Sequence, residues 1–129
     1  MPTTKPRSEL AIHERAMRLE LPDAIAETSR LLGPKLVAYI CGVSETRLVR
    51  AWADGERSPR GHAEPRLRLA LWIASLIAER DNEHVAQAWF QGLNPQLDDR
   101  SPARLLRDGD PDEIGPEVLA AARTFVVGG

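Results

Sequence analysis

The sequence has little of what most enzymes and metal proteins depend on. Its 129 residues include one cysteine, Cys41, which excludes an intramolecular disulfide and any multi-cysteine metal site and suits a reducing compartment. Its three histidines, His13, His62 and His84, are far apart and lack ligand spacing, so no metal is expected. Aromatic residues make up only 5%. No glycine-rich phosphate loop is present, and the acidic stretch 108–113 lacks the alternation of a calcium loop. The longest apolar run, Leu69 to Ala78, is broken at Ser75 and falls well short of the roughly 20 residues that span a bilayer. The opening MPTTKPRSEL has no apolar block, so no secretion signal is expected and the expected location is cytoplasmic. Ser44 has no His–Asp arrangement beside it. Nothing supplies a nucleophile, base and pocket together, so the chain is not expected to be an enzyme, nor to need a cofactor.

What is present is an ordinary globular balance, 43% hydrophobic and 28% charged. The formal net charge is −2, but it is unevenly spread. Residues 1–68 hold 12 Lys/Arg against 9 Asp/Glu, and residues 69–129 hold 5 against 10. A basic front and an acidic back suggest two partners of different charge.

Periodicity and punctuation predict an all-α chain of about seven helices. Residues 1–7 are expected to fray. A helix over Ser8 to Leu21 has Leu10, Met17 and Leu21 on one face. Pro22 starts a second, to Leu32, and Gly33 stops it. Pro34 to Cys41 is a short apolar helix ended by Gly42. Ser44 is the expected N-cap of a helix over 45–53. A polar loop, 54–64, precedes a central helix over 65–80. That helix is apolar nearly all round and so must be covered on several sides. Asp81 or Asn82 caps the next helix, to Gly92. Asn94-Pro95 is a turn, and Ser101-Pro102 opens a short helix through Arg107. After an acidic loop, Gly115-Pro116 starts a last helix through Phe125. The final Gly128-Gly129 is expected to fray. Trp52, Trp72, Trp89 and Cys41 are expected inside. No alternating strand or internal repeat is found.

The stretch Pro34 to Trp52 carries the first functional signal. Two short helices meet at a glycine turn, with the small Ala38 at their contact and Val37, Cys41, Val43 and Leu48 facing inward. This is the spacing of a DNA-binding helix-turn-helix, and the stretch resembles the Xre-type modules. The second helix would enter the major groove. Ser44, Glu45, Thr46, Arg47 and Arg50 occupy its exposed N-terminal part, where arginine can pair with guanine and threonine can touch a thymine methyl. Ser44 and the free N–H groups suit a phosphate. Arg57 and Arg60 on the following loop would grip the backbone. Glu45 is the awkward member: it repels phosphate but can accept from a cytosine amino group.

The second signal lies in Ala86 to Gly109. Trp89, Asn94-Pro95, Leu97, Pro102, Leu105-Leu106 and Gly109 together resemble the toxin-binding domain of the Xre/MbcA/ParS antitoxin family. With the leading module, the resemblance covers roughly residues 22–127. It implies an N-terminal arm (1–21), an Xre-like module (22–64), the central helix (65–80) and a C-terminal helical toxin-binding module (81–129). It also implies a partner, a RES-domain toxin that destroys NAD. That toxin would be blocked by the C-terminal end, here Arg123, Thr124, Phe125, Val126 and Val127, and the operon would be repressed through the front module. Homo-oligomers and a hetero-oligomer with the toxin are expected. Asp108, Asp110, Asp112 and Glu113 could meet a basic nucleotide-binding cleft. The family often has a glycine between the leucine after its Asn-Pro turn and the following proline; here the residues are Asp98-Asp99-Arg100. The alternative is a helix-turn-helix transcriptional regulator with no toxin partner.

Overall fold

In a computed structural model, which describes residues 8–128, eight α-helices and one 3-10 turn follow one another, and no strand is formed among the described residues. The expected fraying of residues 1–7 and of Gly129 lies outside the described residues. Helix α1 spans Glu9–Arg18, α2 Leu21–Leu32, α3 Pro34–Cys41 and α4 Thr46–Ala53. Then come α5 Ala63–Arg80, α6 Glu83–Gln91, the 3-10 turn Pro95–Leu97, α7 Pro102–Asp108 and α8 Pro111–Gly128. No helix of the described residues is long and apolar enough to cross a membrane.

The caps explain most of these limits. The side chains of Ser8, Asn82 and Ser101 accept from Ala11, Val85 and Arg104 backbone N–H groups at 3.1, 3.0 and 3.2 Å, each satisfying a donor the helix leaves open. At Gly42 the backbone turns left-handed (φ 81°). The Val43 N–H then reaches back to the Ala38 carbonyl at 3.0 Å and closes α3. The space around Gly42 would admit a Cβ, 3.6 Å from the Arg66 side chain, so it is the positive φ that calls for glycine there.

Three expectations are corrected. α1 buries Ile12 and Ala16, not the Leu10–Met17–Leu21 face; Leu10 and Met17 point outward. The small Ala16 lets α1 approach α5, and Arg68 of α5 fixes that approach by donating to the carbonyls of Ala16, Met17 and Leu19. Ser44 does not cap α4. Glu45 is the boundary residue, extended at φ −120°, and α4 has no side-chain cap. Ser44 is therefore one residue too early to reach the second or third helical N–H. The last helix runs from Pro111 to Gly128, not from Gly115-Pro116 to Phe125, so Gly128 is helical and not frayed. Pro116 is the sixth residue of α8 and has no N–H to donate to the Asp112 carbonyl one turn back; Gly115 beside it lies against α5, where a Cβ would meet Leu69 at 3.3 Å. Asp112 and Glu113 thus belong to the first helical turn, where negative charge suits the helix dipole.

α5 is the hub. It packs against α1, α2, α3, α6, α7 and α8, and ten of its residues are buried. Buried residues from every helix form one continuous cluster. Trp52 and Trp89 are inside; Trp72 is half-buried with its ring 4.3 Å from that of His13. Cys41 is buried, its thiol donating weakly to the Ala63 carbonyl at 3.8 Å. Burial pushes that thiol up to about 12, against a smaller opposing pull from Arg66.

Candidate functional site

Two surfaces gather the candidate residues. The first is built on α3 and α4. Val37, Ala38 and Cys41 of α3 and Val49 and Trp52 of α4 are buried, and Val43 and Leu48 are packed against the core. That packing leaves Ser44, Glu45, Arg47 and Arg50 exposed along the start and outer side of α4, with Thr46 half-buried. Arg57 and Arg60 are exposed on the following loop. Arg47 and Glu45 form an ion pair with each other. The awkward carboxylate is thereby neutralised by its neighbour, at the cost of occupying one side of that guanidinium. Arg50, Arg57 and Arg60 have no carboxylate partner among the described residues. Most other arginines do: like Arg47, each of Arg15, Arg30, Arg68, Arg100, Arg104 and Arg123 faces a carboxylate within 4 Å.

Two further cations border this surface, and the sequence reading missed both. Lys35 sits at the start of α3, and Arg107 at the end of α7 reaches across to donate to the Tyr39 carbonyl at 2.6 Å. The Arg107–Tyr39 contact spans 68 positions of chain, so no local pattern signals it. Lys35, at the second residue of a helix opened by proline, was visible in sequence as an exposed charge.

The second surface is formed by α6, the 3-10 turn and α8. They enclose an apolar groove of about 610 Å3 lined by Val85, Trp89, Leu93, Pro95, Ala121 and Phe125, among others. Trp89 forms its floor, its ring edge-on to Phe90 at 5.3 Å and tilted against Phe125 at 6.4 Å. Leu93, at the rim, is 76% exposed, and Val127 is 83% exposed. Leu93 was not singled out in the sequence, although an apolar residue between Gly92 and Asn94-Pro95 was a visible signal.

The remaining residues of the C-terminal pattern divide into support and surface. Leu97, Pro102, Leu105 and Leu106 are buried, so they hold the surface rather than form it. Asn94 organises the turn. Its side chain accepts from Gln96 N–H at 2.9 Å, its backbone carbonyl accepts from Leu97 and Asp99, and its N–H donates to Arg100. Asp98 and Asp99, at φ 56° and 59°, complete that turn in the left-handed region. Pro95 and Thr124 are exposed, and Phe125 and Val126 are half-buried. Arg123 points away from the groove to pair with Glu9 of α1. Asp110, Asp112 and Glu113 are exposed, and Asp108 pairs with Arg104 at 3.5 Å. Among the described residues no cluster of three metal-ligating side chains occurs.

No family model matches the chain, and no curated protein matches it. Among solved structures, a chain of the crystal structure of the M. tuberculosis MbcT-MbcA toxin-antitoxin complex is similar to it. The two are 27% identical with a TM-score of 0.63, and the match covers 81% of this chain and 96% of that one.

Proposed function

We propose that this chain is the antitoxin of a type II toxin-antitoxin pair, with one partner on each of these two surfaces. A toxin docks on the α6–α8 surface, and operator DNA docks on α4 as the second helix of a helix-turn-helix. The observation that carries the reading is the likeness over 96% of a chain from a toxin-antitoxin complex. It is supported by an apolar groove with an exposed rim at Leu93 and Val127, since apolar area left in water favours a covering partner. The Trp89-to-Gly109 pattern supports a RES-domain toxin as that partner. Its active site would be closed by exclusion, with the end of α8 from Thr124 to Val127 at the mouth. The exposed acidic residues Asp110, Asp112 and Glu113 suit a basic nucleotide-binding cleft. The exposed, unpaired Arg50, Arg57 and Arg60 support repression of its own operon by DNA binding.

Co-expression with the protein encoded beside it is the direct test. The neighbour alone should arrest growth, and this chain should form a stable complex with it and relieve the arrest. Leu93→Asp and Val127→Asp, both at exposed positions, should abolish rescue while leaving the fold intact by circular dichroism. Truncation after Arg123 should do the same and spare DNA binding. A neighbour that is harmless alone, or that this chain does not bind, refutes the antitoxin reading and leaves a helix-turn-helix regulator without a toxin.

A further inference from the structure

The start of α4 does not stand alone on its surface. A cleft of about 710 Å3 opens beside it, walled by Lys35, Ala38 and Tyr39 of α3, the turn 43–45, the first residues of α4 and the end of α7. Three elements each send one cation into its lining: Lys35 from α3, Arg47 from α4 and Arg107 from α7. Glu45 is the one carboxylate among the lining residues, and it is already engaged by Arg47. Lys35 and Arg107 have no carboxylate partner among the described residues.

Arg107 is held in place before any ligand arrives. One N–H group of Nη1 is spent on the Tyr39 carbonyl at 2.6 Å, and the guanidinium carbon lies 4.7 Å from the centre of the Tyr39 ring. A guanidinium carries five donors in a planar fork, so the others remain for an acceptor in the cleft. Fixing the side chain in advance lowers the entropy lost on binding. The α4 backbone adds N–H groups that no side chain caps. The cleft is therefore donor-rich, net positive and open to solvent beside a helix of the groove-reading kind. When the N-terminal half of such a helix lies in a major groove, the sugar-phosphate strand bordering the groove runs past its start.

We infer that this cleft receives a DNA backbone phosphate, held by Lys35 and by Arg107, a residue of the half otherwise assigned to the protein partner. The inference rests on the proposed DNA-binding role of α4 and enlarges it: the C-terminal module is part of the DNA grip.

The test uses the full chain and two fluorescein-labelled duplexes. One is the DNA immediately upstream of the chain's own reading frame, and the other is the same composition scrambled. Binding is followed by anisotropy across a salt series. Arg107→Gln and Lys35→Gln should each weaken binding to both duplexes by about fivefold and reduce the salt slope by about one, with preference between the duplexes retained. Arg107→Lys should restore the slope. Arg104→Gln, on the same helix but paired with Asp108 outside the cleft, should change nothing. Lys35 is exposed, so Lys35→Gln reads the cleft without touching the packing of α7. Wild-type binding with slopes unchanged in both variants overturns the cleft assignment alone. Absence of wild-type binding to either duplex at low salt overturns the DNA-binding role and the cleft with it.

Discussion

The α3–α4 end and the α6–α8 end solve opposite surface problems. At the first, apolar residues are used up inside: Val37, Val49 and Trp52 are buried, and what remains outside is charged, with Arg47, Arg50, Arg57 and Arg60 exposed. At the second, the polar groups of Asn94 and Ser101 are spent on capping and turn bonds, and large apolar side chains are left outside, Leu93 and Val127 above all. A charged surface is content in water and binds by long-range attraction that salt weakens. An apolar rim gains by being covered, largely independently of salt. On the proposed reading the two surfaces meet different partners, yet both lean on α5 and share one core.

The strongest challenge to that comparison is to damage one end and measure the other. Phe90 is fully buried and carries the edge-on contact to Trp89. Phe90→Ala should cost about 3–5 kcal/mol by lost burial and a residual cavity. Because the core is continuous, the loss should appear as one earlier denaturation transition for the whole chain by circular dichroism, not as a separate melting of the C-terminal helices. Cys41 reports the other end. Its folded thiol is pushed up to about 12, above the ordinary thiol value near 8.5, so burial keeps it neutral and unreactive. The unfolded chain loses that proton first as pH rises. The contribution of Cys41 to stability is thus fully present below about pH 8.5 and declines as pH climbs towards 12. At pH 8, alkylation should need global opening, and Phe90→Ala should speed it by about a hundredfold or more, following the stability loss. Cys41 alkylated equally fast in both proteins would show that the two ends open separately.

The next effect separates the ends instead of joining them. Arg50 is exposed on α4 and free of carboxylates among the described residues. On the proposed reading Arg50→Ala removes a base or phosphate contact worth about 1–3 kcal/mol, roughly five- to 150-fold in DNA affinity by anisotropy. It should leave the complex with the neighbouring protein unchanged in a pull-down. Equal loss of both activities would break the division into two faces.

How much of this could be read from sequence follows from how local each feature is. α3 came out with the expected limits because Pro34 and Gly42 punctuate it, and both act within one turn. The start of α8 was misplaced because Gly115-Pro116 carries the same punctuation. There, however, the glycine serves close approach to Leu69, a distant contact that local rules do not contain. The buried face of α1 was misassigned for a like reason: Arg68, some fifty positions away, ties down the Ala16 side. The exposed residues of α4 were legible from helical spacing. Arg107 beside Tyr39 was not, because only the packing of α7 on α3 brings them together.

The smallest effect concerns the rim of the apolar end. Asp98 and Asp99 follow one another at φ 56° and 59°, a region costing an L-residue about 1–2 kcal/mol, least for Asp and Asn, which favour it among side chains with a Cβ. Glycine avoids the Cβ clash but has about 0.5–1 kcal/mol more chain entropy to lose on folding. The balance favours glycine by about 0.5 kcal/mol. Asp99 is the cleaner site, because its N–H donates to the Asn94 carbonyl at 2.9 Å and glycine keeps that donor. The Asp98 carboxylate, by contrast, lies 3.7 Å from Arg100. Asp99→Gly should thus raise the melting temperature by a few degrees and leave DNA binding untouched, since nothing in the α4 cleft reaches this turn. It should also leave rescue of growth unchanged if the turn serves only to hold Leu93 and Pro95 at the rim. A stabilised Asp99→Gly that no longer rescues would mean that the Asp99 carboxylate itself meets the partner, and the apolar end would then be a mixed surface, closer in kind to the α4 end.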